Sequence, residues 1–343
     1  MVNICVTCSS SRIIPSTIKL IKDRNSDYRF IGIDISEDDL NECYLDKFYK
    51  IQKPEEEDYI KNLLNIVKKE SIDFILVLSD EEAFVLTENN IRRELSSLGC
   101  EILLPNHELI RICNDKGLLM NEFKKYEFLD EKFYFVNNSN DLNKCIDLFD
   151  YPNKSFILKP RVGRGSRGVI LVDESGDIGE YFLGKNKNKI PLSALKENFY
   201  RKNNLNLIAT PYYSAKDYNI DVMAYKGEVC YSLMQERIQP SFGPILSAKI
   251  ILDQDIYDLV CKVIKVLNVT GLINIEIARR GFDNVPKIYE INPRPSAAFA
   301  FLYYQKADPI NDLIKCAKNE KPLSKRFIKM NIKRFWDQYY SND

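Results

Sequence analysis

Four side chains able to do chemistry crowd together late in the chain: Glu276, Glu290, Asn292 and Arg294, with Asn274 just ahead of them. Residues 274–278 (Asn-Ile-Glu-Ile-Ala) and 289–292 (Tyr-Glu-Ile-Asn) read as two short strands, with Gly281 and Asp283-Asn284 between them. Successive strand residues face opposite sides, so Asn274 pairs in face with Glu276, and Glu290 with Asn292. If the strands pair with those faces aligned, two carboxylates and a carboxamide converge, with Ile275, Ile277, Tyr289 and Ile291 behind them. Hard oxygen donors on rigid strands suit Mg²⁺, which keeps several waters and takes one or two carboxylates plus substrate phosphates. Arg294 stands between Pro293 and Pro295, held at the mouth of the same site. An isolated hairpin of this pattern also describes a half-buried sheet with a polar outer face. What favours the metal is a phosphate site elsewhere in the chain.

Residues 155–172 supply one. An apolar strand ends in Lys159-Pro160, a loop carries Arg161, Gly163, Arg164, Gly165, Ser166, Arg167 and Gly168, and a second apolar strand follows. Glycines let backbone N–H groups approach a ligand, and the four cations make that ligand an anion, with polyphosphate the natural candidate. Gly163-x-Gly165-x-x-Gly168 also spells the dinucleotide fingerprint. That fingerprint must open a helix inside a βαβ unit; here a β-branched strand follows, so the reading is strand–loop–strand, a flap over phosphates. Taken alone, the segment is equally a basic surface hairpin.

Lys159-Pro160 with its glycine loop, followed by Glu290-Ile291-Asn292-Pro293-Arg294, resembles the signatures of ATP-grasp enzymes, and among them the stand-alone relatives of the carbamoyl-phosphate synthase large subunit. The resemblance covers nearly the whole chain. It implies an α/β and α+β architecture: an N-terminal doubly wound parallel-sheet domain of the pre-ATP-grasp kind over 1–112, then a two-lobed ATP-grasp fold. Its small lobe would span 113–210 with the phosphate flap, its large lobe 211–343 with the Mg²⁺ site. The resemblance further implies ATP contacts from Lys116, Lys159, Arg161, Gly163, Gly165, Ser166, Gly168, Thr210, Tyr212 and Asp217. It implies metal ligation by Glu276, Glu290 and Asn292, substrate contacts from Arg294, Ser296 and Arg237, and catalytic roles for Arg294, Lys159 and Arg237. The cofactors implied are ATP and Mg²⁺, with Mn²⁺ able to substitute. Two positions depart from the family pattern. Thr210-Pro211 stands in the adenine hinge where a glutamate is usual, and Asp217 replaces a longer glutamate at the ribose.

The surrounding elements fit this frame. Residues 1–112 alternate strands (3–6, 30–33, 74–78, 101–104) with helices (17–23, 55–69, 81–98), the last stopped by Gly99. The first turn, 7–12, has no glycine, so an NAD site is not expected although Asp34 ends the second strand. Ser79-Asp80-Glu81 follows the third strand, where α/β sheets place ligands; a helix cap with an acidic first turn explains it equally well. Further on come helices at 117–125, 141–149, 255–267 and 308–318, a hairpin turning at Lys226-Gly227, and a stiff loop at 240–244. The basic, aromatic tail 325–340 reads as a packed return strand using Phe327, Ile328, Ile332, Phe335 and Trp336 rather than as a nucleic-acid binder.

Composition narrows the classes. The chain has 343 residues with 49 Lys+Arg against 49 Asp+Glu, so no net field points to nucleic acid or membrane. No apolar run reaches spanning length, the first residues lack a signal-peptide pattern, and nine scattered cysteines read as reduced cytoplasmic thiols. Cys5-x-x-Cys8 lacks a second pair at zinc spacing. His107 is the sole histidine, which argues against a Ser-His-Asp triad or a multi-histidine metal site. The expected function is an ATP-dependent carboxylate–amine ligase working through an acyl phosphate on an amino acid or related small metabolite. A kinase-type phosphotransferase and a non-catalytic nucleotide-binding regulator stay open. Expected partners are small carboxylate and amine substrates, and a homodimer is the default drawn from relatives.

Overall fold

The computed structural model describes residues 1–37, 41–126, 132–163, 167–177, 179–180, 188–199, 204–212, 216–238, 247–279, 285–324 and 328–333. The chain opens with β1 (Val2–Val6), α1 (Ile14–Arg24), β2 (Tyr28–Asp34), α2 (Asn41–Tyr44), β3 (Lys47–Lys50), α3 (Tyr59–Glu70), β4 (Phe74–Leu76), α4 (Asp80–Leu86), α5 (Asn89–Ser97) and β5 (Glu101–Ile102). The five strands form a parallel sheet in the order β3-β2-β1-β4-β5. Four were expected; β3 (Lys-Phe-Tyr-Lys) is a short edge strand with charged ends, which hides it from an apolar-run reading. One helix was expected over 81–98. The chain instead breaks at Thr87, whose hydroxyl donates back to the Ala83 carbonyl at 2.7 Å, and Glu88 leaves helical geometry with ψ 138°. Gly99, at φ +80°, follows the second helix in the left-handed region, as expected of a stop.

The middle of the chain gives α6 (His107–Asn114), α7 (Lys116–Phe123), β6 (Tyr134–Val136), α8 (Ser139–Phe149), β7 (Phe156–Pro160), β8 (Ile170–Val172), β9 (Lys189–Ile190), α9 (Leu192–Phe199) and β10 (Leu207–Pro211). Its sheet runs β6-β10-β7-β8-β9, and β7 and β8 pair antiparallel across the glycine loop. Strands therefore flank the glycine segment on both sides.

The remainder contributes β11 (Asp217–Tyr225), β12 (Glu228–Arg237), β13 (Ser247–Ile250), α10 (Gln254–Val266), β14 (Gly271–Arg279), β15 (Pro286–Asn292), a 3₁₀ helix at Phe299–Gln305, α11 (Pro309–Ala317) and β16 (Met330–Lys333). These strands form a sheet in the order β15-β14-β11-β12-β13-β16. β11 and β12 turn at Lys226 (φ +47°) and Gly227 (φ +78°), two left-handed residues in succession that match the twist of a hairpin. β16 is the return strand, antiparallel to β13; Phe327, Phe335 and Trp336 lie outside the described residues.

Two compact units result. One draws on Met1–Arg111, Lys216–Ile277 and Ile288–Asp343, the other on Ile112–Ala215 and Ala278–Lys287. In the first unit, one face of the parallel sheet (Ile4, Val6, Phe30, Leu76) shares an apolar core with Leu233, Leu272, Phe299, Leu302 and Ile310. Its other face (Cys5, Ile31, Ile33, Ile75) packs on Leu63 and Val67 of α3 and Leu95 of α5. Burial on both faces is why these strands read as unbroken apolar runs. The second unit has its own core, with Leu158, Phe156, Val172 and Ala209 against Leu142 and Phe149.

Candidate functional site

The acidic cluster forms on the six-stranded sheet. In β14, Ile273, Ile275 and Ile277 are fully buried and alternate with Asn274 and Glu276. The Asn292 carboxamide, from β15, donates to Asn274 Oδ1 at 3.3 Å and to Glu276 Oε1 at 3.4 Å. Asn274, Glu276 and Asn292 thus meet on one face. Arg237, the last residue of β12, comes within 3.4 Å of Glu276 Oε2. Glu290 is half-buried, and its charge acts on Arg294.

Tyr289 corrects the sequence expectation. It was expected behind the site with the isoleucines; its hydroxyl instead donates to Glu276 Oε2 at 2.9 Å. Tyr289 and Asn292 are three residues apart and both reach Glu276. The buried apolar residues of β15, Ile288 and Ile291, are also three apart. β15 is the edge strand of its sheet, and the long Tyr289 side chain reaches Glu276 from there. Burial, then the Glu276 charge, pushes the Tyr289 phenol well above its ordinary pKa.

Arg294 is held by the N-terminal sheet domain. Its Nε and Nη2 donate to the two carboxylate oxygens of Asp80 at 2.7 and 2.8 Å. Such a fork fixes the guanidinium plane as well as its position. Asp80 opens α4 just beyond β4, and the cap itself is Ser79, whose hydroxyl accepts the Glu82 N–H at 3.2 Å. Capping therefore falls to Ser79 and leaves Asp80 for Arg294. Burial works against the guanidinium charge, and Asp80, then Glu290, more than offset it, raising the pKa further. Ser296 accepts the Ala298 N–H at 2.9 Å, which shapes the turn entering the 3₁₀ helix. Asp217 begins β11; burial raises its pKa and the nearby Arg237 charge opposes the rise.

Continuing this face onto β11 and β12 is a polar network that sequence reasoning missed. Asp221 is fully buried and accepts from Gln235 Nε2 at 3.0 Å and Asn274 Nδ2 at 3.1 Å. The available signal was Asn219 and Asp221 at alternate positions among Ile220 and Val222, a polar face where a core strand was expected.

The residues expected to face phosphate lie in the second unit. Lys159 in β7 is 5% exposed, and Lys116, first in α7, is 6% exposed. Lys116 Nζ donates to the Gly163 carbonyl at 2.7 Å. Arg161 donates from Nε and Nη2 to Asp115 at 3.0 and 2.6 Å and lies 4.8 Å over the Phe135 ring. Asp115 also caps α7, accepting from Gly117 N at 2.8 Å and Leu118 N at 3.3 Å. A Cβ on Gly117 would fall 2.5 Å from Phe135, so only glycine permits this packing. Gly168, at φ +71°, takes a left-handed turn against Pro160. Gly165 and Ser166 lie outside the described residues. Thr210 and Pro211 pair with Ile157 and Phe156 of β7 but extend past β6, whose pairing ends at Ala209. Proline therefore costs no bond to β6. The Tyr212 N–H donates to the Ser155 carbonyl at 3.4 Å, and its side chain is 42% exposed.

A family model described as "ATP-grasp in the biosynthetic pathway with Ter operon" matches residues 203–333. The chain has an ATP-grasp fold, with the parallel five-stranded N-terminal sheet followed by two further sheets. Among solved structures, N5-carboxyaminoimidazole synthetase from Staphylococcus aureus, complexed with ADP, aligns at TM-score 0.67 and 16% identity, over 94% of this chain and 78% of that one. L-amino acid ligase from Bacillus licheniformis aligns at 0.68 and 13%, over 94% and 75%. Biotin carboxylase from Campylobacter jejuni aligns at 0.67 and 15%, over 94% and 72%. No curated protein matches the sequence significantly. Among the described residues no helix is long and apolar enough to cross a membrane.

Proposed function

We propose that this protein is an ATP-dependent carboxylate–amine ligase that forms an amide or peptide-like bond through an acyl phosphate, on an amino acid or related small metabolite. The observation that carries the reading is the meeting of Asn274, Glu276 and Asn292 on one sheet face, with Arg294 fixed two residues beyond, in a chain of ATP-grasp fold. The likeness to carbamoyl-phosphate synthase rests on the sequence motifs, whereas the L-amino acid ligase is among the structural neighbours.

In this reading a substrate carboxylate oxygen attacks the γ-phosphorus and ADP leaves. The amine nitrogen then attacks the acyl carbon, phosphate leaves, and the amine proton passes to solvent. Phosphoryl transfer needs positioning and charge neutralisation more than covalent help. Lys116 and Lys159 hold phosphate oxygens. Thr210 and Tyr212 contact the base through backbone groups, and Asp217 takes the ribose. Arg161, tied to Asp115, fixes the base of the flap formed by Gly163, Gly165, Ser166 and Gly168, which keeps water from the acyl phosphate. Glu276, Glu290 and Asn292 would hold Mg²⁺, or Mn²⁺ in its place. The donor set fits, because two carboxylates and a carboxamide are the hard oxygens such an ion takes alongside waters and phosphates. Held there, such an ion would supply neutralisation of the charge on the transferred phosphoryl group. Arg294, with Arg237 and Ser296, orients the substrate carboxylate; Asp80 keeps the guanidinium plane fixed while it does so.

A cytoplasmic setting is part of the proposal, drawn from nine cysteines scattered without a disulfide-framework spacing. Homodimerisation is part of the proposal; one structural neighbour is described as a biotin carboxylase domain dimer.

The reading is tested by trapping. Incubation with Mg-ATP, hydroxylamine and a panel of amino and other carboxylic acids should give a hydroxamate and ADP with at least one acid, since hydroxylamine captures an acyl phosphate whatever the natural amine. ADP release without hydroxamate, on an acid that binds, would replace the ligase with a kinase-type phosphotransferase.

A further inference from the structure

We propose that Asp221 is a positioning residue that sets which end of the Asn292 carboxamide faces the metal. The inference rests on the metal reading above and deepens it. A carboxamide binds a cation only through its oxygen, yet its two ends have nearly the same shape. Neighbours must therefore select the orientation. Asn292 is turned with its nitrogen toward two acceptors, Asn274 Oδ1 at 3.3 Å and Glu276 Oε1 at 3.4 Å. Glu276 is itself a metal ligand in this reading, and its other oxygen already receives the Tyr289 hydroxyl. Asn274 is the acceptor with no second duty at the ion.

Asn274 faces the same ambiguity, and Asp221 settles it. A carboxylate can only accept. Asp221 Oδ1 takes the Asn274 nitrogen at 3.1 Å, which turns the Asn274 oxygen toward Asn292. Its Oδ2 takes the Gln235 nitrogen at 3.0 Å, so that amide is oriented too. Asp221 and Gln235 are fully buried and Asn274 is 1% exposed, so no bulk water can rescue a reversed amide. Reversal would face two like groups across a dry contact, which typically costs as much as a lost buried hydrogen bond. A carboxamide at 221 would fill the same space and cost less to bury, but it could present either end. Direction thus passes from Asp221 through Asn274 to Asn292, leaving Asn292 Oδ1 as the ligand atom.

The test is a double-mutant cycle read by Mn²⁺ affinity in the presence of nucleotide, measured by electron paramagnetic resonance on the full chain. Asp221→Asn is expected to weaken Mn²⁺ about tenfold or more, the usual scale for partners that orient a metal ligand. Nucleotide binding without divalent cation should be unchanged. Asn292→Asp makes the ligand symmetrical, since either end is an oxygen, so Asp221→Asn should add nothing in that background. An equal loss in both backgrounds, or no loss in either, would overturn the proposal. Should Asp221→Asn not fold, Asn274→Ala interrupts the same relay and is expected to show the same loss and the same cancellation. Glu290→Gln separates the two levels: unchanged Mn²⁺ affinity in that variant would remove the metal site itself, whatever Asp221 does.

Discussion

The sheet proposed to hold the metal and the loop proposed to face phosphate would solve the same problem differently. On the sheet, Glu276, Asn292 and Asn274 stand on strands and bond to one another, and a fully buried Asp221 bonds to Asn274. Their positions follow from strand geometry. In the loop region, the fixed points lie at the base: Lys116 on the Gly163 carbonyl, and Arg161 on Asp115. A cation bound by short hard contacts needs ligands placed in advance; a polyphosphate can be met by backbone and long side chains that close on it. The sheet should therefore be sensitive to the chemistry of single atoms, and the loop to the integrity of its braces.

The largest effect is expected on the sheet. Glu290→Gln changes one oxygen to nitrogen and should lower ADP formation about a thousandfold or more, with thermal midpoint unchanged. Normal turnover in that variant would place the metal elsewhere. Next comes the contact joining the sheet's arginine to α4. Asp80→Asn leaves a largely buried guanidinium without its carboxylate, and should cost about 2–3 kcal/mol in denaturant unfolding. Activity should fall with it; a drop in stability alone would make Asp80 purely structural.

The loop's brace should respond more mildly. Asp115→Ala removes both the α7 cap and the Arg161 partner, for about 1–2 kcal/mol. Its signature should be a raised KM for ATP with kcat less affected, the opposite of Glu290→Gln. If kcat collapses instead, the two regions do not divide labour as proposed.

The smallest effect is a control outside both residue sets. Glu70 ends α3, where the helix dipole disfavours a carboxylate. Tyr49, then Lys47 and Arg29, bind it and lower its pKa to about 2. A depressed carboxylate adds stability above its unfolded pKa and loses it as pH falls toward the folded value. Wild type should therefore lose about 1 kcal/mol from this group between roughly pH 5 and 2, and Glu70→Gln should flatten that part of the acid-unfolding curve. An identical curve would show that the ion pairs contribute nothing.

The same comparison separates what could be read in advance. The face shared by Asn274 and Glu276 was legible because period two is local. So were the antiparallel strands around the glycine loop and the hairpin at Lys226-Gly227, whose turn chemistry is written in adjacent residues. The Asp80–Arg294 contact was not, because its partners lie 214 residues apart and Asp80 also looks like a first-turn acid. Tyr289 was misplaced because period two does not show how far a long side chain on an edge strand reaches. The break after Leu86 was missed because residues on both sides favour helix. Asp221 was hidden by the rule that core strands are apolar; a buried polar network obeys hydrogen bonding across strands, which no single strand displays.

Carboxylate activation is tested most directly by following oxygen. The accepted acid is labelled with ¹⁸O in its carboxylate and turned over with Mg-ATP and its amine partner, and the released phosphate is weighed by mass spectrometry. One ¹⁸O per phosphate released is the expected result, because the attacking carboxylate oxygen stays on phosphorus when the amine displaces it. Amide formation with unlabelled phosphate would contradict the acyl-phosphate route.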